Sequence, residues 1–268
     1  MSNPYLLQPI KIIKSERLAQ DINLITFDDS FIKFIPGQFL MINIPGFGEA
    51  PFGIMQPTCT ENKLQLLIRG VGDLTNKVLS LKKSDTVLVR GPLGNGFPLS
   101  HMKNKNIVMF AGGTGIVPIK ALMDYVKNHQ NNFGQIQLFY GAKSPENIFF
   151  QKELNICQKF ADILLAVEKH EKNWEGNTGL ITSLISSKTT LVENSVAVLC
   201  GPPIMYKFVI EKLKKIGYKD QDMYLSFERR IRCGIGKCQH CTCGDKYVCT
   251  DGPIFSHDEV LKMPEEII

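Results

Sequence analysis

Up to about residue 100, the apolar residues occur in short runs that are separated by turn residues. The runs are rich in branched and aromatic side chains, and Pro-Gly or Gly-Pro pairs punctuate them, as at Pro36-Gly37 and Gly91-Pro92. Short strands at this spacing are typical of an all-β barrel or sandwich. We predict strands over residues 23–27, 39–44, 64–68 and 86–90, and one short helix over residues 74–82.

The pattern changes near residue 105. Residues 106–111 form a nearly continuous apolar run, which is typical of a strand that is buried on both faces. A glycine turn and a stretch of helical period follow, and strand-like and helical stretches then alternate, which predicts a parallel α/β sheet. The predicted strands are 106–111, 136–140, 163–167 and 195–200, and the predicted helices are 117–127 and 204–216. The regular pattern ends at Phe227.

Composition narrows the function classes. The chain has 268 residues, of which 44% are hydrophobic and 21% charged, so it has enough apolar material for two cores. Its formal net charge of +5 is mild and spread along the chain, so we expect no nucleic-acid partner. No apolar run reaches the roughly 18 residues that span a bilayer, and the N-terminus lacks a signal-peptide pattern. We expect no membrane insertion and a cytoplasmic location.

The chemistry-bearing residues concentrate near the C-terminus, where five of the eight cysteines lie between residues 233 and 249. Cys233, Cys238 and Cys241 have the C-x4-C-x2-C spacing of plant-type 2Fe–2S proteins, whose irons are held by four thiolates. Gly234 and Gly236 let the backbone curl around a cluster and aim N–H groups at its sulfur atoms. This spacing predicts a 2Fe–2S cluster.

Two cysteines compete for the role of fourth ligand. We favour Cys249, because a turn at Gly244-Asp245 precedes it. Cys243 lies only two residues after Cys241 and would point away from it in an extended chain. A structural zinc site is one alternative, although zinc ligands usually form two short pairs separated by a long spacer. Reduced thiols without a metal are the other alternative.

Two turns follow predicted strands of the α/β part. Gly112-Gly113-Thr114-Gly115 joins a strand to a helix, where free N–H groups can bind a phosphate. The turn lacks the G-x-G-x-x-G fingerprint, so a plain tight turn is the alternative. Cys200-Gly201-Pro202-Pro203 ends another strand, at the side of an open α/β sheet where ligands bind. A small buried residue is the alternative for Cys200.

Together these features resemble the ferredoxin-reductase-like family of electron-transfer subunits over nearly the whole chain. The glycine turn resembles the family's pyridine-nucleotide loop, and the Cys200 turn resembles its nicotinamide-side motif. Within the family, the segment from Gly91 to Pro98 is similar to the electron-transfer subunit of dihydroorotate dehydrogenase. Other segments resemble the B subunit of anaerobic sulfite reductase more strongly, and the γ subunit of sulfhydrogenase is nearly as similar to this chain. The segments that carry the resemblance to the sulfite reductase subunit are Gly48 to Phe52, Gly201 to Met205, Glu228 to Arg230, Gly236 to Cys241 and Tyr247 to Phe255.

The resemblance implies a two-domain architecture of β-barrel plus α/β with a C-terminal 2Fe–2S segment. The implied parts are an FAD-binding barrel at residues 1–102, an NAD(P)-binding α/β domain at 103–226 and the cluster segment at 227–268. The implied flavin contacts are Pro51, Phe52, Gly53, Ile54, Ile68, Arg69, Gly70, Leu74, Thr75, Asn95 and Gly96. The implied nicotinamide-nucleotide contacts are Gly112, Gly113, Thr114, Gly115, Gly201 and Pro202. The implied metal ligands are Cys233, Cys238, Cys241 and Cys249.

The resemblance also implies individual roles. Phe52 would lie against the isoalloxazine, Arg69 would pair with the pyrophosphate, and Thr75 would bond a phosphate oxygen. Cys200 and Phe52 are the candidate catalytic residues. Surface exposure of Arg69 and a core position for Phe52 are the alternatives.

One segment departs from the family pattern. Many relatives read Arg-Pro-aromatic-Ser where this chain has Ala50-Pro51-Phe52-Gly53, so the hydroxyl that commonly bonds flavin N5 is missing. The residues alone fit FAD or FMN. Lys143 and Ser144 could meet a 2′-phosphate, and no acidic residue follows that strand to mark a ribose diol. NADH, which the resemblance favours, and NADPH therefore both stay open.

The resemblance implies that the chain is an electron-transfer subunit of a hetero-oligomer. It would pass electrons from NADH through FAD and the cluster to a catalytic reductase subunit, which would reduce sulfite under anaerobic conditions. The complex would also contain a further iron–sulfur subunit. The same relay could serve a hydrogenase or a dihydroorotate dehydrogenase. An alternative function of a different class is that of a non-catalytic subunit that senses redox state or acts as a scaffold. Lys237, His240 and Lys246 mark the expected docking edge, unless they form only a solvated rim.

Overall fold

The computed structural model describes residues 3–28, 32–56, 63–172 and 174–263. Its N-terminal part is an antiparallel six-stranded sheet. The strands are β1 (Gln8–Ala19), β2 (Ile22–Asp28), β3 (Phe39–Ile44), β4 (Gly48–Gly53), β5 (Lys63–Arg69) and β6 (Thr86–Leu93), in the order β4-β3-β6-β1-β2-β5. Helices α1 (Asp73–Ser80) and α2 (Leu99–Met102) accompany them.

The six-stranded sheet closes on itself as a barrel. Its two outermost strands are β4 and β5, and an antiparallel bridge joins Met55, just after β4, to Gln65 on β5. The backbone N–H of each residue donates to the carbonyl of the other, at 3.0 and 2.8 Å. Alternating inward side chains, such as those of Ile10 and Ile12, fill the interior. The predicted barrel is therefore confirmed.

The second sheet has seven strands and lies in the α/β part. They are β7 (Asn106–Gly112), β8 (Ile136–Ala142), β9 (Ala161–Val167), β10 (Asn177–Thr178), β11 (Ser195–Cys200), β12 (Met223–Ser226) and, after the short hairpin β13 (Thr242–Cys243) and β14 (Lys246–Tyr247), β15 (Ile254–Ser256). The order is β10-β9-β8-β7-β11-β12-β15, with all neighbours parallel except β12 and β15. The helices are α3 (Ile116–Asn128), α4 (Gln151–Cys157), α5 (Pro203–Lys215) and α6 (His257–Val260). The predicted α/β fold is confirmed.

The cysteine-rich segment packs against both sheets. Its strand β15 pairs antiparallel with β12 and buries Phe255 in the α/β core. On the barrel side, the backbone N–H of Asn95 donates to Gly252 O at 2.6 Å. The Asn95 side-chain amide donates to the carbonyls of Thr250 and Asp251, each at 3.1 Å. These bonds fix the position of the cysteines relative to both sheets.

No helix in the described ranges is long and apolar enough to cross a membrane.

Candidate active site

A cavity of about 650 Å³ lies across the carboxyl ends of β7, β8, β9, β11 and β12. Strand β8 lies on one side of β7 and β11 on the other, so the chain changes direction across the sheet at this point. Open α/β sheets bind their ligands in the crevice at such a switch point. Arg69, at the end of barrel strand β5, also lines the cavity. The cavity is therefore placed to hold a nucleotide between the two sheets.

The glycine turn forms one wall of the cavity, with Gly112, Gly113, Thr114 and Gly115 all lining it. Residues Gly113–Gly115 make a short 3-10 turn that leads into α3. A Cβ on Gly115 would lie 2.2 Å from the carbonyl oxygen of Cys200, so only glycine fits there. The Tyr140 hydroxyl donates to Gly113 O at 3.2 Å. The turn is thus clamped between two neighbouring strands.

The Cys200 turn lies beside the glycine turn. Gly201 and Pro202 line the cavity, and a Cβ on Gly112 would come within 2.8 Å of Pro202 Cδ. The Tyr206 hydroxyl accepts the Gly201 N–H at 3.1 Å and donates to Ser226 O at 2.5 Å. This bridge fixes the turn against the end of β12.

The thiol of Cys200 is placed below the cavity wall, not in it. Cys200 is 1% exposed and is not among the lining residues, although its neighbours are. Burial raises the pKa of this thiol well above its usual range, which keeps it protonated. In this arrangement Cys200 supports the turn through its backbone. The catalytic role suggested for its side chain stays a prediction.

The residues predicted to contact a flavin line one edge of the barrel. Pro51, Phe52 and Gly53 are half-buried on β4. Ile54 follows in the barrel core. A Cβ on Gly53 would lie 3.1 Å from Val117 Cγ1 on α3, so this position faces the α/β part.

The end of β5 and the start of α1 bring together the next predicted contacts. Ile68 is buried in the barrel core, whereas Arg69 is exposed and its Nε donates to Asp21 Oδ2 at 2.8 Å. The bond from the Arg69 guanidinium holds the pKa of the Asp21 carboxyl below its usual range. A Cβ on Gly70 would lie 2.6 Å from Asn76 Oδ1, which explains the glycine.

The first turn of α1 is held by its own side chains. The Thr75 hydroxyl accepts the N–H groups of Val71 and Gly72, at 2.9 and 3.0 Å. Leu74 is buried against the barrel. The Thr75 hydroxyl therefore caps the first turn of α1. The bond from Thr75 to a phosphate oxygen stays a prediction.

Asn95 and Gly96 follow the end of β6, where Phe39 pairs with both Leu93 of β6 and Gly53 of β4. Asn95 bonds the cysteine-rich segment, as described above. A Cβ on Gly96 would lie 2.4 Å from Ile35 Cγ2, so this glycine permits close packing of two loops.

Four thiols come together in the cysteine-rich segment. The side chain of Cys233 lies beside that of Cys238, and the side chain of Cys249 lies beside that of Cys241. Backbone N–H groups point at the sulfur atoms: Gly236 donates to Cys249 Sγ at 3.2 Å. Lys237 and Cys238 each donate to Cys233 Sγ at 3.3 Å. Gly234 and Gly236 have φ values of 70° and 74°, the left-handed conformation that lets the loop curl.

The thiols of Cys233 and Cys249 differ in their pKa. Burial raises the pKa of Cys233, but N–H bonds from Ile235, Cys238 and Lys237 outweigh it and lower this pKa to about 6. Burial and the neighbouring Cys241 raise the pKa of Cys249 to about 12. Such N–H donors stabilise thiolate and cluster sulfur in the same way.

The arrangement fits a binuclear cluster. In the ranges described above, no three His, Cys, Asp or Glu side chains converge closely enough to hold a single metal ion. Structural zinc takes three or four such ligands around one ion. Two cysteine pairs match the need of a 2Fe–2S cluster, in which each iron takes two thiolates. Cys243 is fully buried and receives a long contact, 3.9 Å, from Arg229 Nη2.

Three charged residues that line the cavity, Glu168, Glu228 and Arg229, were not predicted to lie there. Glu168, the first residue after β9, lines the cavity together with Lys143, which follows β8. Its backbone N–H donates to Ala142 O at 3.0 Å, which places it at the ends of both strands. Ser144, in contrast, donates its hydroxyl to Asn147 Oδ1 at 2.8 Å and does not line the cavity. The signal for Glu168 was present in the sequence, as an acid directly after a buried parallel strand.

Two family models match parts of this chain. The oxidoreductase NAD-binding domain matches residues 109–211, which include the glycine turn and the Cys200 turn. The iron–sulfur cluster binding domain of dihydroorotate dehydrogenase B matches residues 228–261, which include the four thiols. The cavity and the thiol cluster thus fall within domains known for nicotinamide-nucleotide and iron–sulfur binding.

Relatives match almost end to end. Sulfhydrogenase 1 subunit gamma of Pyrococcus furiosus is 35% identical over 98% of this chain and 94% of its own length. The probable dihydroorotate dehydrogenase B (NAD+) electron transfer subunit of Thermococcus kodakarensis is 32% identical, over 91% and 94%. Among solved structures, an NADH-dependent reduced ferredoxin-NADP oxidoreductase has a TM-score of 0.77 at 24% identity, over 98% and 94%. A ferredoxin NADP+ reductase from Neisseria gonorrhoeae has a TM-score of 0.70 at 18% identity, over 82% and 97%.

These matches agree with the folded arrangement of barrel, nucleotide cavity and thiol cluster. The chain belongs to the ferredoxin-reductase-like family of electron-transfer subunits that includes the sulfhydrogenase gamma subunits and the electron transfer subunits of dihydroorotate dehydrogenase B.

Proposed function

We propose that this chain passes electrons from NADH, through FAD and a 2Fe–2S cluster, to a partner catalytic subunit that reduces sulfite under anaerobic conditions. The observation that carries the proposal is the placement of the cavity. It opens at the switch point of the α/β sheet, is lined by Arg69 of the barrel, and is bounded by Phe227 to Arg229, which lead into the thiol cluster. One chain thus brings a nucleotide site, a barrel edge and four thiols together.

FAD supplies the conversion between a two-electron hydride and single electrons, and the protein supplies its position. On the proposed function, the segments Pro51 to Ile54, Ile68 to Gly70 and Leu74-Thr75 hold it. Phe52 offers an apolar face on β4, and the Arg69 guanidinium offers a fork of donors for phosphate oxygens. A Cβ at Gly53 would lie 3.1 Å from Val117 Cγ1, so a larger residue there would press against α3.

The nucleotide cavity provides groups for each part of NADH. The N–H groups of the glycine turn at the start of α3 suit the pyrophosphate. Gly201 and Pro202 line the wall beside the glycine turn and suit the nicotinamide. Glu168 can accept hydrogen bonds from the ribose diol, and its charge opposes a 2′-phosphate. Lys143 would favour that phosphate, and its side chain and that of Glu168 are both exposed at the rim of the cavity.

Changing Glu168 to Gln should shift the preference between the two nucleotides. The amide removes the repulsion of a 2′-phosphate and weakens the bond to the 2′-hydroxyl. We expect the ratio of kcat/KM for NADH to that for NADPH to fall about tenfold, or about 1.4 kcal/mol. Steady-state diaphorase assays with both nucleotides measure this ratio. Glu146→Gln, an exposed acid just outside the cavity, is the matched control and should leave the ratio unchanged.

The cluster would be held by Cys233, Cys238, Cys241 and Cys249. Cys238 is exposed, and the side chains of Lys237 and His240 beside it are exposed as well. This edge of the loop offers the electron an exit and offers positive charge to an acidic partner surface. We infer that a catalytic reductase subunit, and a further iron–sulfur subunit, dock here in a hetero-oligomer.

The identity of the terminal reaction rests on two observations that point to different partners. The motifs at residues 48–52, 201–205 and 228–255 favour the sulfite reductase branch. The end-to-end similarity to two gamma subunits of sulfhydrogenases from Pyrococcus furiosus, at 35% and 36% identity, favours a hydrogenase partner as the second candidate.

Anaerobic affinity purification of the tagged chain from its own host separates the two candidates. Co-purified subunits are identified, and the complex is assayed with NADH for sulfide formed from sulfite and for hydrogen evolution. Sulfide formation supports the first candidate, and hydrogen evolution without it supports the second. A chain that purifies alone and is inactive in both assays would contradict both.

A further inference from the structure

A buried arginine of the barrel lies under the cysteine loop. Arg90 on β6 is 9% exposed, and Glu49 on β4 holds two arms of its guanidinium. Nε donates to Glu49 Oε1 at 2.7 Å, and Nη2 donates to Oε2 at 2.6 Å. This bidentate pairing fixes the plane and the direction of the guanidinium.

The third nitrogen of the guanidinium, Nη1, points away from Glu49. Arg90 Nη1 is buried and has no hydrogen-bond partner among the residues that the structure describes. A Cβ built on Gly234 would lie 3.5 Å from Nη1, 2.7 Å from Leu93 Cδ1 and 3.6 Å from Met41 Cγ. Gly234 is buried and directly follows Cys233. The cysteine loop therefore sits on β3 and β6, with Nη1 at the contact.

The Arg90–Glu49 ion pair is oriented with respect to the cysteine loop. Glu49 binds the Nε and Nη2 side of the guanidinium, so the positive Nη1 end is the end that faces the cysteine loop at Gly234. A buried N–H of a charged group is costly without an acceptor. Thiolate and inorganic sulfur of a cluster are acceptors of the kind that is missing, and hydrogen bonds to them raise the reduction potential.

We propose that Arg90 is a positioning residue for the cluster, whose Nη1 donates a hydrogen bond to sulfur on the Cys233 side and stabilises the reduced form. The inference rests on the proposed function, because that function places a cluster on Cys233. Reduction adds one electron to the cluster, and Arg90 keeps its proton throughout. Glu49 sets the strength of the effect by holding the guanidinium in place and by offsetting part of its charge.

The two partners should act with opposite sign. Arg90→Gln removes the donor and leaves Glu49 unopposed, so the reduced cluster becomes less stable. Glu49→Gln keeps the donor and removes the opposing negative charge, so the reduced cluster becomes more stable. We expect the equilibrium constant for one-electron reduction to change about tenfold in each direction, which equals 59 mV for a one-electron couple. Arg90→Lys keeps the charge without the fork and should fall between wild type and Arg90→Gln.

A redox titration of the cluster-loaded chain, followed by electron paramagnetic resonance, measures these shifts. Hyperfine spectra in H₂O and D₂O add a second readout, because Arg90→Gln should lose one exchangeable proton that couples to the reduced cluster. Lys120→Gln is the matched control. Lys120 is another buried cation, paired with Asp124 on α3 at 2.5 Å, and its loss should leave the potential unchanged.

A purely structural role for Arg90 gives a different outcome. It would lower cluster retention without opposite shifts of potential and without loss of an exchangeable proton, and this result would overturn the inference. If Arg90→Gln does not fold, Glu49→Gln decides alone: a higher potential supports the inference, and an unchanged or lower potential overturns it. A wild-type chain without labile sulfide or a resonance signal would instead refute the proposed function itself.

Discussion

Replacing Cys249 with alanine should remove most of the iron and labile sulfide, whereas the same change at Cys243 should leave both in place. Cys249 pairs with Cys241, and its sulfur accepts the Gly236 N–H at 3.2 Å. Without it, one iron would keep a single cysteine ligand, and a 2Fe–2S cluster needs four. Cys243 contacts Arg229 instead.

Chemical assay of iron and acid-labile sulfide after anaerobic purification measures this difference. We expect about two irons per chain in wild type and in Cys243→Ala, and well under half of that in Cys249→Ala. Circular dichroism checks that both variants fold. The reverse pattern, with the cluster lost in Cys243→Ala and retained in Cys249→Ala, would assign the fourth ligand to Cys243.

Changing Gly115 to alanine should nearly abolish NADH use while the chain stays folded. The new Cβ would lie 2.2 Å from the Cys200 carbonyl oxygen and 2.5 Å from its carbon, so the two turns must separate. A displacement of about 1 Å at a substrate-positioning element can cost about a hundredfold in rate. We expect kcat/KM for NADH to fall by about that factor, or about 2.7 kcal/mol.

Flavin bleaching by NADH in a stopped-flow instrument measures the Gly115 effect. Gly217→Ala is the control, because Gly217 has a φ of 109° in the turn after α5 and does not line the cavity. That change should cost about 1–2 kcal/mol of stability through backbone strain but leave NADH kinetics unchanged. Equal loss of NADH use in both variants would show that strain, and not the shape of the cavity wall, governs binding.

Local signals in the sequence were enough to predict much of the fold. The apolar runs of β7 and β11 are buried on both faces, so their pattern is continuous and unambiguous. The cysteine spacing predicts a cluster because three ligands come from one loop, whose geometry is local.

Other elements depend on partners that are distant in sequence. Strand β4 contains Gly and Pro, which are poor strand formers, and is tolerated because it is an outer strand of the sheet. Strand β15 has three residues and forms because β12 offers it an edge. Glu168 joins the cavity only because β9 lies beside β8, and Arg90 meets Gly234 across 144 positions of sequence. No local pattern contains these pairings.

The most direct test of the electron relay is an anaerobic titration of the isolated chain with NADH, followed by absorbance and electron paramagnetic resonance. We expect NADH to bleach the flavin and the signal of a reduced 2Fe–2S cluster to appear in the same titration. A chain that binds no flavin, or whose cluster stays oxidised with both NADH and NADPH, would contradict the relay and favour a scaffold role.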